Sequence, residues 1–173
     1  DKMPYTTTHV LVAIIAIELF RELFYKNNRN FPRYYILLAA IAGVFPDIEY
    51  LFRLSYHGRY FMHTLFVPLI FLLLGLIAVK MGVKHRGLRR RHMNLSLILF
   101  VFAAGSLIHL GLDAIFIETV MPFYPFSNYA VGLELVSKVA VEYQELVLPI
   151  VDASLLFFWL LWMQFKLKVD DYF

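Results

Sequence analysis

The sequence predicts an all-α membrane protein, a polytopic bundle of about five transmembrane helices with one amphipathic helix at the membrane surface. Of its 173 residues, 61% are hydrophobic and only 17% are charged, and the mean hydropathy is +0.67. Soluble domains are roughly half apolar and about a quarter charged, so this chain is too apolar to be one. Because no repeat or composition shift divides it, we expect residues 1–173 to form a single membrane-embedded domain.

The beginning of the chain and its lack of cysteine narrow the possibilities further. Asp1 and Lys2 precede Met3 and are interpreted as the remnant of a cleaved tag, with Met3 as the natural start. Without cysteine, the protein has no disulfide, no thiolate metal ligand and no cysteine nucleophile.

Five apolar runs, separated by polar or Pro-containing connectors, predict the five transmembrane helices. We expect them to run from His9 to about Tyr25, from Tyr34 to about Phe52, from His63 to about Val83, from Asn94 to about Ile117 and from Leu146 to about Lys166. Pro46 lies inside the second run and lacks a backbone donor, so it is expected to bend or break that helix.

Residues 128–145 carry a different pattern. Glu134, Lys138 and Glu142 recur every four residues, with Val and Leu on the other face. This spacing is typical of an amphipathic helix that lies in the membrane surface. We therefore expect an interfacial helix over residues 128–145.

The basic residues predict the orientation. The connector 26–33, the segment 80–92 and the tail 166–168 hold three, six and two Lys or Arg residues, which is eleven of the sixteen in the chain. Cytoplasmic segments carry such an excess, and five alternating spans place these three segments on one side. We expect a multi-pass protein of the plasma (inner) membrane with an external N-terminus, and we interpret the basic segment 80–92 as a topology determinant near lipid headgroups, with no nucleic-acid partner.

The most informative stretch is His109-Leu-Gly-Leu-Asp113 in the fourth apolar run. Residues four apart share one helix face, so both ionisable side chains point to the same place. An ionisable group inside a membrane span costs several kcal/mol unless it is paired, hydrated or bound to an ion. The pair therefore indicates either a site or a structural His–Asp hydrogen bond between helices.

Other candidate ligands are expected at the same depth. At about 1.5 Å per residue, Asp47 and His109 lie roughly 20 and 22 Å from the cytoplasmic starts of their helices, in a core about 30 Å thick. The imidazoles and carboxylates that this orientation gathers toward the external face are those of His9, Asp47, Glu49, His57, His63, His109 and Asp113. Such a ligand set suits zinc, manganese or iron and is rich enough for two ions.

The same residues carry a resemblance. Thr8-His9, Gly43-Val-Phe-Pro46-Asp47-Ile-Glu49, His57-Gly-Arg59 with Met62-His63-Thr64, and His109-Leu-Gly-Leu-Asp113 resemble the YdjM-like family of predicted inner-membrane, metal-dependent hydrolases, whose ligand pattern is similar to that of the zinc-dependent phospholipase C and nuclease superfamily. The resemblance covers about the first two-thirds of the chain. It implies the metal ligands His9, Asp47, His57, His63, His109 and Asp113. This chain departs from the family pattern at Glu49, where the family prefers Asp, and at His57-Gly-Arg59, where it favours His-Arg-Gly.

The expected function follows from the site and its depth. A metal-activated water is expected to attack a phosphoester or phosphodiester of a membrane lipid headgroup at the extracytoplasmic face. In this hypothesis Glu49 is the general base, Arg59 and Arg53 bind the phosphate, and Asp152 and Glu118 support the ligands. One to three divalent ions are expected, zinc first, with Mn²⁺ or Fe²⁺ as alternatives.

Other functions compete with this one. The same metal suits hydrolysis of an amide or acyl bond in a lipid, and His and acidic residues in membrane spans also suit a divalent-metal transporter or a non-enzymatic metal-binding protein. Transport needs a polar path through the membrane, whereas the inner halves of the second, third and fourth predicted helices are apolar. Ser106 lies near His109, but no Gly-x-Ser-x-Gly motif supports a serine hydrolase.

Overall fold

The structure is a computed structural model that describes residues 6–25, 31–51, 61–81, 94–117 and 119–167. Within these ranges the protein is helical and contains no strand beyond a single bridge between Val120 and Val131. The helices are α1 (Thr6–Phe24), α2 (Tyr34–Val44), α3 (Ile48–Leu51), α4 (Phe66–Lys80), α5 (Leu95–Leu112) and α6 (Gln144–Leu167). The expectation of an all-α protein is confirmed for this part of the chain.

The predicted break at Pro46 is present. α2 ends at Val44, a 3₁₀ turn spans Phe45–Asp47, and α3 follows as one short turn. Pro46 is buried at the second position of the 3₁₀ turn, where its missing N–H does not cost an α-helical hydrogen bond. The break leaves Asp47 at the end of a tight turn instead of inside a continuous helix.

The third predicted helix begins later than expected. α4 starts at Phe66, so His63 lies in the turn before it. Two hydrogen bonds stabilise this turn. The Leu65 N–H donates to the Pro122 carbonyl (3.0 Å), and the Thr64 hydroxyl donates to the Phe61 carbonyl (2.8 Å). These contacts hold the residues just before α4 in a turn.

α5 matches the fourth predicted helix and continues beyond its α-helical part. Asn94 caps its beginning by accepting a hydrogen bond from the Ser96 N–H (3.0 Å). After Leu112 the backbone widens into a π-helical turn over Asp113–Ile117. Such turns are rare and are often found at functional sites.

The interfacial helix predicted over residues 128–145 is wrong. This segment has no regular secondary structure up to Glu134 apart from the bridge at Val131, and it then forms 3₁₀ turns at Leu135–Lys138 and Val141–Tyr143 before α6 begins at Gln144. Its backbone pairs with other parts of the chain, at Val131 with Val120 and from the Leu133 N–H to the Ala114 carbonyl. Glu134 adopts a left-handed conformation (φ 48°), which interrupts any helix. The four-residue charge spacing therefore does not reflect helical structure here.

The described helices do not confirm five membrane spans. Two of them are long and apolar enough to cross a bilayer, Leu95–Ile117 and Val141–Phe165, whereas the apolar helices Tyr34–Asp47 and Phe66–Lys80 are shorter. A straight span needs about 20 residues. The break at Pro46 and the late start of α4 shorten two of the expected spans.

α5 is the centre of the bundle, with α1, α2 and α4 packed around it and α6 packed on α1. Two glycines allow α2 to lie close to its neighbours. A Cβ atom at Gly105 would lie 2.5 Å from the Ala42 Cβ and 2.8 Å from its carbonyl carbon, and one at Gly43 would lie 2.8 Å from both the Ala13 Cβ and the His9 carbonyl oxygen. Small residues commonly make such close helix contacts in membranes.

Hydrogen bonds connect α6 and the α1–α2 connector to α1. The Thr8 hydroxyl donates to Asp152 (2.5 Å) and the Trp159 indole donates to Glu18 (2.8 Å). The buried Arg21 guanidinium donates to the Phe31 carbonyl (3.0 Å). The charges in the first apolar run are therefore partnered inside the protein.

Substitution of Gly105 is expected to separate α2 from α5. In Gly105→Ala the new methyl group meets backbone atoms that cannot rotate away, so we expect a loss of about 1–3 kcal/mol in unfolding free energy, measured by thermal unfolding in detergent micelles. Gly111→Ala is the matched control on the same helix, because a Cβ there meets nothing within 4 Å. It should be neutral or more stable by about 0.5–1 kcal/mol. Equal effects of the two substitutions would contradict the close-contact interpretation.

Candidate metal centre

Five ionisable side chains from four separate parts of the chain meet at one end of the bundle. They are His9 from α1, Asp47 from the 3₁₀ turn, His63 from the turn before α4, and His109 and Asp113 from α5 and its π-helical extension. The three histidines and Asp113 are at most 1% exposed, and the Asp47 side chain is 10% exposed. Burial of this many ionisable groups requires strong mutual compensation or a bound ion.

The local structure explains why each side chain points inward. His109 and Asp113 are four residues apart and share one face of α5. The absence of a side chain at Gly43 brings α1 close to α2, and the rings of His9 and His109 stack with centroids 4.1 Å apart. The expectation that His63 reaches the His109–Asp113 pair is confirmed, since its Nε2 atom lies 3.3 Å from the His109 Nε2 atom.

Two imidazole nitrogens and two carboxylate oxygens lie close to one another. The Asp47 Oδ1 atom lies 3.5 Å from Nε2 of both His63 and His109. The Asp113 Oδ2 atom lies 3.3 Å from the His109 Nε2 atom and 3.7 Å from the His63 Nε2 atom. Together with the separation of the two histidine nitrogens, these distances outline a small polyhedron of two nitrogens and two oxygens.

This arrangement fits a divalent ion. Zinc binds imidazole nitrogen at about 2.0–2.1 Å and carboxylate oxygen at about 2.0–2.2 Å, so ligand atoms of a tetrahedral site lie about 3.3–3.5 Å apart. The separations in the cluster are 3.3 to 3.7 Å. Both carboxylate oxygens of Asp47 are buried and accept no hydrogen bond from any described residue. A bound cation would supply the compensation that these oxygens lack.

The histidine tautomer also favours metal binding. The His109 Nδ1 atom lies 2.7 Å from the Gly43 carbonyl oxygen, which can only accept, so Nδ1 carries the proton and donates. The lone pair of His109 is then on Nε2, the atom that faces the other ligands. Metal-binding histidines are commonly oriented in this way by a carbonyl or carboxylate on the far nitrogen.

His9 meets the other oxygen of Asp113. Its Nε2 atom lies 3.1 Å from the Asp113 Oδ1 atom, whereas Asp113 Oδ2 faces His63 and His109. Asp113 forms one ligand group with His9 and His109, and its Oδ2 atom also approaches two members of the second group, which is formed by Asp47, His63 and His109. His9 can either orient Asp113 for a single ion or help to bind a second one.

Glu49 lies beside the cluster in a different environment. It is 6% exposed, and its Oε2 atom accepts a hydrogen bond from the Met62 N–H at 3.0 Å. Met62 directly precedes His63, so Glu49 holds the turn that presents that histidine. Glu49 belongs to neither ligand group, and its role as general base stays a prediction.

The remaining predicted site residues fall into two groups. Asp152 does not contact the cluster directly, but its bond to Thr8 holds the start of α1, and His9 is the next residue. The other residues lie outside the described part of the chain, namely Arg53, His57, Arg59 and Glu118.

The sequence did not reveal the backbone group that orients His109. The Gly43 carbonyl carries no side-chain signal, although the glycine just before a Val-Phe-Pro break marks a place where two helices can approach closely. Ser106 lies near the cluster, and its hydroxyl is a potential nucleophile by residue type. It is fully buried one turn before His109, and its hydroxyl has no hydrogen-bond partner within the described ranges.

The fold and the cluster define a class of protein, a helical bundle with membrane-length apolar helices and a buried His/Asp group that can hold a metal ion. The sequence model of the family described as "YdjM inner membrane protein" matches residues 3–168. The chain therefore belongs to this family, as the sequence motifs predicted, and a lipid bilayer is its environment. No curated protein and no solved structure matches the chain.

Loss of a central ligand is expected to remove the bound metal. His109 belongs to both ligand groups, and Asp113 belongs to one and lies beside the other. In His109→Ala and Asp113→Ala, metal per protein should therefore fall at least about tenfold, measured by elemental analysis of purified protein. His92→Ala is the control, because it removes an imidazole of the basic segment and should leave metal content unchanged. Undiminished metal in both cluster variants would refute the ligand assignment.

Proposed function

We propose that the protein is a membrane-embedded, metal-dependent hydrolase that cleaves a phosphoester or phosphodiester of a membrane lipid headgroup. The observation that carries the proposal is the convergence of His63, His109, Asp47 and Asp113 at metal-ligand spacing, with buried Asp47 oxygens that no described donor reaches. The family supports an inner-membrane location. The distribution of basic residues favours an extracytoplasmic site.

The four ligand atoms bear on the identity of the ion. When bound, a divalent ion lowers the pKa of its water toward neutrality and stabilises charge on a phosphoryl oxygen. A strictly four-coordinate zinc would be filled by these side chains, whereas hydrolysis requires a position for water. Mn²⁺ or Fe²⁺, which accept more than four ligands, would leave room for water, and so would zinc held by only some of these side chains.

The protein side chains then have separate tasks. Gly43 holds the His109 ring, and His9 holds the Asp113 carboxylate, so that their ligand atoms are oriented before substrate arrives. Glu49 is the proposed general base for the attacking water. Arg53 and Arg59 are the proposed partners of the anionic phosphate, because guanidinium groups match phosphate oxygens in pairs.

A non-enzymatic metal-binding role is the second candidate. It is favoured by the same four-ligand arrangement, since a filled tetrahedral site is typical of structural zinc. Lipid amide or acyl hydrolysis uses the same metal chemistry and differs from the first proposal only in the bond that is cleaved.

Reconstitution in liposomes tests the proposed activity. With phosphatidylethanolamine, phosphatidylglycerol and cardiolipin as substrates, we expect release of a phosphorylated or phosphate product that stops on chelation and returns with Zn²⁺ or Mn²⁺. His109→Ala should reduce this release at least about 100-fold, while His92→Ala should retain it. Metal binding without cleavage of any of the three lipids would favour the non-enzymatic role.

Two substitutions at Glu49 separate catalysis from positioning. Glu49→Gln keeps an oxygen that can accept from the Met62 N–H but removes the base, so metal content should persist while kcat falls about 10²- to 10⁴-fold. Glu49→Ala also removes the acceptor and should weaken metal binding about 10- to 100-fold. Full activity in Glu49→Gln would show that Glu49 only positions the turn before α4.

A further inference from the structure

A long apolar cavity lies on α5 between α1 and α4, away from the candidate metal centre. Both helices pack on α5, and the space left between them has a volume of about 510 Å³. We call this space the α1–α4 groove. Its walls include Ile17 and Phe20 of α1, Pro68 and Leu72 of α4, and Phe100 and Ala104 of α5.

The chemistry of the groove is nearly uniform. Every residue that lines it is apolar except Tyr25, which lies at one end. Ala103 and Ala104 form its floor on α5, where larger side chains would fill it. Ligand sites commonly have volumes of about 300–1,000 Å³, but this one offers almost no hydrogen-bonding partner. It therefore suits a hydrocarbon ligand and excludes a peptide or a sugar.

The dimensions match one leaflet of a bilayer. The groove follows α5 from Leu97 to Leu107, which is about 15 Å at 1.5 Å per residue, half of a hydrocarbon core about 30 Å thick. It belongs to the membrane-length helix Leu95–Ile117 and occupies the half nearer the start of that helix. His109 and Asp113 lie in the other half.

The groove and the candidate metal centre also lie on different faces of α5. Leu107 is 53% exposed whereas His109 is fully buried, and two successive steps of 100° place them on nearly opposite faces of α5. A ligand in the groove therefore does not contact the cluster.

We propose that the α1–α4 groove binds one hydrocarbon chain of a bilayer phospholipid, from the leaflet at the side where α5 begins. The headgroup lies near Tyr25, and the end of the chain lies near Leu65 and Leu107. The chain fills the gap between α1, which carries His9, and α4, which follows His63. It supplies packing contacts that these two helices lack with each other.

Photo-crosslinking tests both the location of the lipid site and the orientation of the bound acyl chain. Protein reconstituted with phosphatidylglycerol that carries a diazirine at the end of one acyl chain should give adducts near Leu65–Leu69 and Leu107, while a diazirine near the headgroup should label Tyr25 and Leu97. Mass spectrometry of peptides locates the adducts. Labelling in the groove should saturate and be displaced by unmodified phosphatidylglycerol, unlike labelling of exposed α6 residues such as Phe158.

A matched pair of alanine substitutions provides the control. Ala104→Phe places a ring in the groove and should reduce saturable labelling at least about tenfold, equivalent to 1.4 kcal/mol. Ala153→Phe makes the same change at an exposed position of α6 and should not alter it. Labelling that stays linear with lipid concentration or is unaffected by Ala104→Phe would overturn the proposal. The readout is independent of hydrolysis, so it stands even if the proposed activity fails.

Discussion

The close approach of α2 to α1 and α5 determines where the cluster forms. Gly43 and Gly105 lack the side chains that would hold the helix backbones apart. At this separation the Gly43 carbonyl reaches His109 Nδ1, and His9 stacks on the His109 ring. Without a water-driven hydrophobic effect between helices in a bilayer, such close van der Waals contact is a main source of association. The same contact thus supports the bundle and orients the candidate ligands.

The buried charges impose a second constraint on the structure. Two carboxylates and three imidazoles lie together inside the bundle, where an uncompensated charge costs several kcal/mol. Hydrogen bonds among the side chains compensate part of this cost, as between His9 and Asp113. They do not reach the oxygens of Asp47. A bound metal ion would reduce this imbalance, because a cation can contact several ligand atoms at once.

α6 is held to the bundle mainly by contacts with α1. α6 packs mainly on α1, with most of its large side chains exposed as expected for a lipid-facing helix. Its polar contacts are the Asp152–Thr8 and Trp159–Glu18 hydrogen bonds, which are less screened in a bilayer than in water. Asp152 therefore holds the start of α1, where Thr8 precedes His9.

Residue patterns along the chain were enough to predict the helical class, the membrane environment and five residues that meet in the cluster. These features depend on local information, namely hydropathy, the i to i+4 spacing of His109 and Asp113, and the break that Pro46 imposes. The bounds of α1, α5 and α6 agree with their apolar runs for the same reason.

The other features depend on contacts between distant parts of the chain. Backbone pairing at Val131 and Leu133 replaced the helix expected over residues 128–145, and contact with Pro122 accompanied the later start of α4. Two hydrogen bonds at the cluster join a side chain to a distant backbone group, from His109 to the Gly43 carbonyl and from the Met62 N–H to Glu49. Every residue carries such backbone groups, so no sequence pattern distinguishes the ones that are used.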